Sequence, residues 1–118
     1  MSLKELINAL TGCGLTRSDA KIYVFLAREG PNKIHLIAKA LRMQETELAN
    51  RLEHLKRIGM VKKIDEISIP QFFAVPLEKA LDILVEVNLK EAAVAEKNKK
   101  VVLRYWDSKL KESIKDNQ

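Results

Sequence analysis

Apolar residues in the middle of the chain recur at helical spacing and predict two short helices joined by a tight turn. The first helix runs to about Leu41. The second spans about 44–58 and places Leu48, Leu52 and Leu55 on one face, at positions i, i+4 and i+7. This arrangement is typical of a helix-turn-helix, whose second helix usually enters the major groove of DNA. The pattern therefore favours a DNA-binding regulator over an enzyme.

Two further helices are predicted before this motif. Apolar residues share one stripe in segment 3–10. Thr16 offers an N-cap for the second helix, which runs to about Glu29, and Asp19 stands three residues on, as in a capping box. Asn32 is expected to cap the first helix of the helix-turn-helix. All regular structure predicted up to this motif is therefore helical.

The segment after the helix-turn-helix carries β-forming residues on both sides of a short polar turn. The two runs are MVKKI (60–64) and ISIPQFFAV (67–75), with Asp65-Glu66 between them, which predicts a β-hairpin. Pro70 predicts that the second strand lies at an edge or is bulged. A helix-turn-helix followed by a hairpin is the winged-helix arrangement. We therefore expect a mainly α fold with a small β-hairpin, and residues 1–76 as a winged helix-turn-helix domain.

The remaining segment, 77–118, has a helical pattern to about Ile114, with apolar residues recurring every seven positions. This spacing predicts a long C-terminal coiled-coil helix that joins two chains into a homodimer, in either parallel or antiparallel pairing. Glu91 and Asn98 fall in the same seam, where polar residues weaken pairing but can fix its register. The side chains expected at the dimer interface are Leu84, Val87, Val94, Asn98, Val101, Leu103, Tyr105, Trp106 and Leu110.

Charge and composition narrow the class of partner. The net charge of +5 suits an anionic partner such as DNA, although many basic proteins bind nothing acidic. The excess lies in residues 1–43, which hold seven Lys/Arg against three Asp/Glu, whereas residues 44–76 hold five of each. The positive charge therefore precedes the second helix of the motif.

The sequence contains no constellation typical of catalysis or metal binding. Cys13 is the only cysteine, so no intrachain disulfide can form, and His35 and His54 do not have metal-ligand spacing. No glycine-rich phosphate loop, acid–base pair or long apolar run is present in the sequence. We therefore expect a cytoplasmic protein that is not an enzyme, with no cofactor, no metal, no membrane association and no evident small-molecule ligand.

Several segments, taken together, resemble the TrmB-like family of archaeal winged-helix transcriptional regulators. They are GLTRSDAKIY (14–23), GP (30–31), IAKAL (37–41), LEHLKRIGMV (52–61) and FAVPLEKAL (73–81). The most specific signals are GLT…A-K-I-Y (14–23) and AVP…AL (74–81), because both occur and stand at the separation expected for the family. The resemblance implies a winged-helix fold and regulation of transcription on double-stranded DNA. Full-length members carry a sugar-binding effector domain after the linker helix, so this chain resembles a truncated relative.

If the second helix is a recognition helix, its exposed polar residues are expected to face the major groove. These are Gln44, Thr46, Asn50 and Arg51, in which Gln and Asn suit adenine edges and Arg suits guanine. The alternative for each is an ordinary solvated helix face. The basic residues expected to contact DNA phosphates are Lys33, Lys39, Arg42, Lys56, Arg57, Lys62 and Lys63.

The chain departs from the family pattern at the surface expected to bind DNA. Glu45 and Glu47 stand early in the second helix, where the family often places Arg and Lys, and Arg42 occupies a turn position that is often glycine. Carboxylates facing phosphate are repulsive. Two alternatives therefore remain: a protein–protein module whose acidic second helix docks a basic partner, and a general archaeal chromatin protein with little preference among duplexes.

Overall fold

A computed structural model describes the backbone of residues 2–116 and the side chains of residues 2–109. The chain divides into two compact units, Met1–Val87 and Asn88–Gln118. The first unit contains four helices, a small sheet and the first turns of a fifth helix, and the second unit continues that fifth helix. The first turns of the fifth helix pack into the core of the first unit, and the predicted domain boundary after residue 76 stays a prediction.

The four helices of the first unit are α1 (Leu3–Gly12), α2 (Arg17–Glu29), α3 (Ile34–Leu41) and α4 (Glu45–Ile58). Helix α2 begins at Thr16, whose hydroxyl accepts a hydrogen bond from the backbone N–H of Asp19 at 3.2 Å, so the predicted N-cap is confirmed. Helix α4 ends at Ile58, where the sequence predicts its end, and Gly59 is its C-cap. This residue has a φ of 93°, a left-handed conformation that glycine adopts without steric cost.

The three strands are β1 (Asn32–Lys33), β2 (Val61–Ile64) and β3 (Gln71–Ala74), and they form one antiparallel sheet in the order β1-β3-β2. The sequence prediction missed β1, because a strand of two residues is too short to show periodicity. The prediction that Asn32 caps α3 was wrong, because Asn32 belongs to this unrecognised strand. Asn32 lies in β1 and its side-chain amide donates to the Gly30 carbonyl, while Lys33 occupies the cap position of α3.

The hairpin between β2 and β3 also differs from its prediction. Residues 65–70 form the connection, so the turn is longer than Asp65-Glu66, and β3 lies in the middle of the sheet and not at its edge. Pro70 immediately precedes β3, where its missing N–H removes no hydrogen bond from the ladder. Ile67 and Ile69 are 44% and 48% exposed, so no burial holds them in a strand.

One hydrophobic core fills the first unit. Its largest fully buried side chains are Leu10, Ile22, Tyr23, Leu26, Ile37, Leu48, Leu52, Leu55, Met60 and Val61. Tyr23 also donates its hydroxyl proton to the backbone carbonyl of Val75 at 2.6 Å, and its burial raises the pKa of the phenol. This bond joins α2 to the segment that follows β3.

Helix α5 (Leu77–Asp116) confirms the long helix predicted from the sequence. Its first turns bury Ala80 and Leu84 in the core of the first unit, which leaves little of the Leu84 surface for a partner chain, and Val87 is half-buried. In the second unit, every described side chain from Asn88 to Lys109 is exposed. The side chain of Leu110 lies outside the described residues. Helices α3 and α4 with the β2–β3 wing make this a winged helix-turn-helix fold.

Candidate nucleic-acid interface

Helix α4 has one face in the core and the opposite face in solvent. Leu48 and Leu52 are at most 1% exposed. At 3.6 residues per turn, the opposite face carries Thr46, Asn50 and Arg57, all of them exposed. These side chains form a polar stripe, which we call the α4 stripe, on the second helix of the helix-turn-helix.

Two more polar residues border the α4 stripe and were missed as candidates in the sequence. Glu53 and His54 follow Asn50 by three and four residues, and both are exposed. Helical spacing alone was a sufficient signal for them, because residues three and four apart share a face of a helix. The exposed face of α4 is therefore mixed in charge and not uniformly basic.

The turn between α3 and α4 comprises Arg42, Met43 and Gln44. Among the described residues, Arg42 is the only non-glycine with a positive φ, at 55°, and its side chain is exposed. Such a conformation costs a residue with a Cβ roughly 1–2 kcal/mol. Gln44 occupies the N-cap position of α4 without a side-chain capping bond, so its amide is available in solvent. Both long polar side chains of the turn are therefore exposed to solvent.

Arg51 does not lie on the α4 stripe. Its guanidinium Nη1 is 3.4 Å from Asp19 Oδ1 and 3.3 Å from Thr16 Oγ1, and its Nε is 3.5 Å from Glu47 Oε1. The Arg51 side chain is 32% exposed, whereas the Asp19 side chain is 4% exposed. The guanidinium therefore links α4 to the N-terminus of α2, and the predicted contact of Arg51 with guanine remains a prediction that competes with these bonds.

The predicted phosphate contacts fall into two groups. In the first, each lysine has an acidic partner: Lys56 Nζ is 3.6 Å from Glu53 Oε2, and Lys63 Nζ is 3.3 Å from Asp65 Oδ1. Lys63 also lies 5.9 Å from the centre of the Phe72 ring. Exposed ion pairs of this kind contribute about 0–1 kcal/mol, so an incoming phosphate can compete with them.

In the second group, no ion pair within the described part of the chain involves the basic side chain. Its members are Lys33, Lys39, Arg42, Arg57 and Lys62, of which Lys33 is half-buried and the others are exposed. They come from β1, α3, the turn, the end of α4 and the wing. The structure therefore distributes candidate phosphate contacts along the helix-turn-helix and not in one cluster.

A groove of about 310 Å³ lies between the start of α3, the first turn of α4 and the wing. Its lining residues are Ile34, His35, Glu45, Lys63, Ile69, Pro70 and Phe72. Sequence reasoning missed this groove, because its lining residues come from α3, α4 and the wing, which only the folded chain brings together. It brings Glu45 and Lys63 to one concave surface beside the predicted DNA-binding face.

Neither a metal-binding cluster nor a membrane-spanning helix occurs in the described residues. No group of three or more His, Cys, Asp or Glu side chains among them could hold a metal ion. Within the same residues, no helix combines the length and apolar character that crossing a membrane requires. The candidate site is the exposed surface of α4 with the turn and the wing, because the exposed polar and basic residues lie there.

Comparison with known proteins assigns the winged-helix unit to a family. A family model for the sugar-specific transcriptional regulator TrmB matches residues 10–78, which include the helix-turn-helix and the wing. None of the curated proteins matches the chain significantly. The family match agrees with the resemblance seen in the sequence.

Solved structures share the fold at low sequence identity. A possible transcriptional regulator from Methanosarcina mazei Go1 has a TM-score of 0.58 at 10% identity, covering 85% of this chain and 88% of its own. A protein of the thermoacidophilic archaeon Sulfolobus tokodaii has a TM-score of 0.61 at 19% identity, covering 80% and 99%. NadR in complex with 4-hydroxyphenylacetate has a TM-score of 0.55 at 17% identity, covering 98% and 90%.

These structures establish a shared fold, and the family model establishes the kind of protein. The matched residues hold the core that orients α4, the turn that contains Arg42 and the strands of the wing. The matched family consists of transcriptional regulators and not of enzymes. The chain belongs to the TrmB family of transcriptional regulators.

Proposed function

We propose that the protein regulates transcription by binding double-stranded DNA with α4 in the major groove. The observation that carries this proposal is the α4 stripe: an exposed polar face on the second helix of a winged helix-turn-helix, directly opposite a buried leucine face. Thr46 and Asn50 are exposed, and Gln44 precedes them at the N-cap. Amide and hydroxyl groups at these positions suit hydrogen bonds with the edges of bases.

Phosphate contacts come from exposed cations on α4 itself, on α3, in the turn and in the wing. Lys39, Arg42, Arg57 and Lys62 lie on four different elements and take part in no ion pair within the described residues. Each phosphate contact releases counterions and gives a slope of about −0.9 in log affinity against log salt. Lys33, Lys56 and Lys63 can add to this set once DNA displaces water or an acidic partner.

We also propose that α5 joins two chains into a homodimer. In the second unit Val94, Val101, Tyr105 and Trp106 are 58%, 55%, 62% and 62% exposed. Burial of one such side chain contributes about 1.5–3 kcal/mol, so a helix–helix seam built from several of them can outweigh the cost of association. A dimer could address two half-sites on DNA, as paired helix-turn-helix proteins do.

A second candidate function rests on the carboxylates of α4. Glu45, Glu47 and Glu53 are all exposed. An acidic helix surface of this kind suits a basic protein partner better than a phosphate backbone. In this alternative the winged helix is a protein–protein interaction module.

A binding titration at two salt concentrations separates the candidates. Fluorescence anisotropy with a labelled random-sequence duplex would be measured at about 50 mM and about 200 mM salt. With four phosphate contacts, we expect affinity to fall roughly a hundredfold between these conditions. If the full chain binds no duplex tighter than about 10⁻⁴ M at low salt, DNA binding is refuted and the protein–protein alternative takes its place.

The dimer is tested in the full-length chain by substitutions on and off the apolar seam. Val94→Lys with Val101→Lys should give a monomer in sedimentation equilibrium, because the charges would be buried at the interface. Ala92→Lys with Ala93→Lys is the matched control, since it adds the same charge at exposed positions outside the seven-residue repeat.

Truncation after Ala95 should also yield a monomer or a much weaker dimer, with DNA affinity at least about tenfold lower. A wild-type chain that is monomeric at tens of micromolar would refute the dimer.

A further inference from the structure

The N-terminus of α2 holds the middle of α4 through one arginine. Among the residues whose exposure the structure describes, Asp19 is the only buried charged residue, at 3%. Its carboxylate lies 3.4 Å from Arg51 Nη1, across 32 positions of sequence. A desolvated carboxylate requires a partner, because an unpaired buried charge is strongly destabilising. Arg51 is therefore needed at this point whether or not DNA is present.

Two further bonds fix where the guanidinium lies. Thr16 Oγ1 accepts from Arg51 Nη1 at 3.3 Å and also from the Asp19 backbone N–H at 3.2 Å, so the N-cap of α2 takes part in holding Arg51. On α4 itself, Glu47 Oε1 lies 3.5 Å from Arg51 Nε. The planar guanidinium offers donors in a rigid fork, so several acceptors at once define its direction.

Arg51 is the residue after Asn50, on the flank of α4 between the core face and the α4 stripe. Leucine side chains pack without strong direction, so the core face alone leaves some freedom for α4 to roll about its axis. A charge-assisted bond at the flank removes that freedom. A small roll would move Thr46 and Asn50 together relative to any surface they contact.

We propose that Arg51 is a positioning residue: bound to Asp19 and Thr16, it sets the orientation in which α4 presents the α4 stripe to the bases of DNA. This rests on the proposed function and gives Arg51 a different role from the guanine contact expected from the sequence. The two roles make opposite predictions for Asp19. If Arg51 positions α4, loss of the Asp19 charge harms binding. If Arg51 reads a base, loss of that charge frees the guanidinium and leaves binding unchanged or tighter.

The test compares Arg51→Ala, Asp19→Asn and the double variant in the full-length chain. Asp82→Asn is the matched control, because it removes one exposed carboxylate on α5 and changes the net charge equally. Affinity would be measured on the preferred duplex and on its single-base-pair variants, over a range of salt. Arg51→Lys provides a milder change that keeps the charge but loses the fork, should Arg51→Ala fail to fold.

We expect Arg51→Ala and Asp19→Asn each to reduce discrimination at several base pairs by roughly tenfold, with the double variant no worse than either and the salt slope unchanged. Loss at a single base pair in Arg51→Ala, with Asp19→Asn binding like wild type, would overturn the proposal in favour of base reading. A salt slope smaller by about one in Arg51→Ala would show a phosphate contact instead. Lower stability with unchanged affinity and discrimination would reduce the network to a purely structural role.

One readout does not depend on DNA at all. In the free protein, Asp19→Asn should shift the backbone amide resonances of Thr46, Asn50 and Arg57 in a heteronuclear NMR spectrum, although none of them contacts Asp19. Unchanged resonances would overturn the positioning role directly. If the wild-type chain binds no duplex while these shifts are present, the proposed DNA-binding function is refuted, but the role of Arg51 in orienting α4 is supported.

Discussion

Replacing Tyr23 with phenylalanine removes one buried hydrogen bond and leaves the ring in place. The Tyr23 hydroxyl donates to the Val75 carbonyl at 2.6 Å, and the tyrosine is 1% exposed. An ordinary hydrogen bond contributes about 1 kcal/mol net, and a buried acceptor that loses its donor costs about 1–3 kcal/mol. We therefore expect Tyr23→Phe to lower the free energy of unfolding by about 2 kcal/mol.

In a domain of this size, 1 kcal/mol shifts the melting temperature by about 4–8 °C, so the expected shift is roughly 10 °C. Urea unfolding followed by circular dichroism measures the same change as a lower midpoint with an unchanged slope. Tyr105→Phe is the matched control, because Tyr105 is 62% exposed and its hydroxyl can be solvated in either state. A Tyr23→Phe variant as stable as this control would refute the reasoning.

The same bond predicts a pH dependence. Burial raises the pKa of Tyr23 above its ordinary value of 10.0, so the folded state retains the phenolic proton to higher pH than the unfolded state does. The stabilisation is therefore complete below pH 10 and is lost as the pH rises through the pKa of the folded state. The difference in stability between wild type and Tyr23→Phe should shrink above pH 10. A difference that stays constant or grows there would contradict this assignment.

Three further substitutions test the surface and the fold. Arg42→Asn should preserve or slightly raise the urea midpoint of unfolding, because asparagine tolerates the φ of 55°. The same substitution should lower the salt slope of DNA binding by about one, and an unchanged slope would show that Arg42 contacts no phosphate. Glu45→Gln with Glu47→Gln should tighten non-specific DNA binding, because it removes the repulsion between these carboxylates and the phosphates. Weaker binding to one particular sequence would instead indicate that a carboxylate contacts cytosine. No change on any duplex would show that α4 lies outside the interface. Gly59→Ala should lower the unfolding free energy by about 1–2 kcal/mol, because its φ of 93° disfavours a Cβ; wild-type stability in urea would contradict this.

Local signals predicted most of the helices correctly. Thr16 caps α2 and Gly59 ends α4, because a cap depends on groups within a few residues of the helix end. The leucine face of α4 also follows from spacing alone. Features that depend on residues close together along the chain can be recognised in a single sequence.

Features that depend on distant partners were missed. The strand β1 exists because Asn32 and Lys33 pair with β3, about forty positions later in the sequence. The Arg51 network likewise spans 32 positions, so its partners could not be found locally, although the spacing of three from Leu48 already places Arg51 beside the leucine face. The sequence therefore placed Arg51 with the base-contacting residues, although its nearest partners are Asp19 and Thr16.

One long-range contact joins two of the segments that carry the family resemblance. The signal A-K-I-Y ends in Tyr23, and the signal AVP contains Val75. The hydrogen bond between these two residues spans 52 positions and joins α2 to the start of the segment that leads into α5. The two segments are therefore in direct contact in the folded chain.

The most direct test of DNA recognition by α4 is a backbone NMR titration of the full-length chain with its preferred duplex. We predict that the largest changes in amide resonances occur from Gln44 to Asn50 and at Arg57 in the α4 stripe, with smaller changes at Lys62 in the wing. Helix α1 should be unaffected. Saturable changes centred on α1 or α2, with the amides of α4 unmoved, would contradict the account.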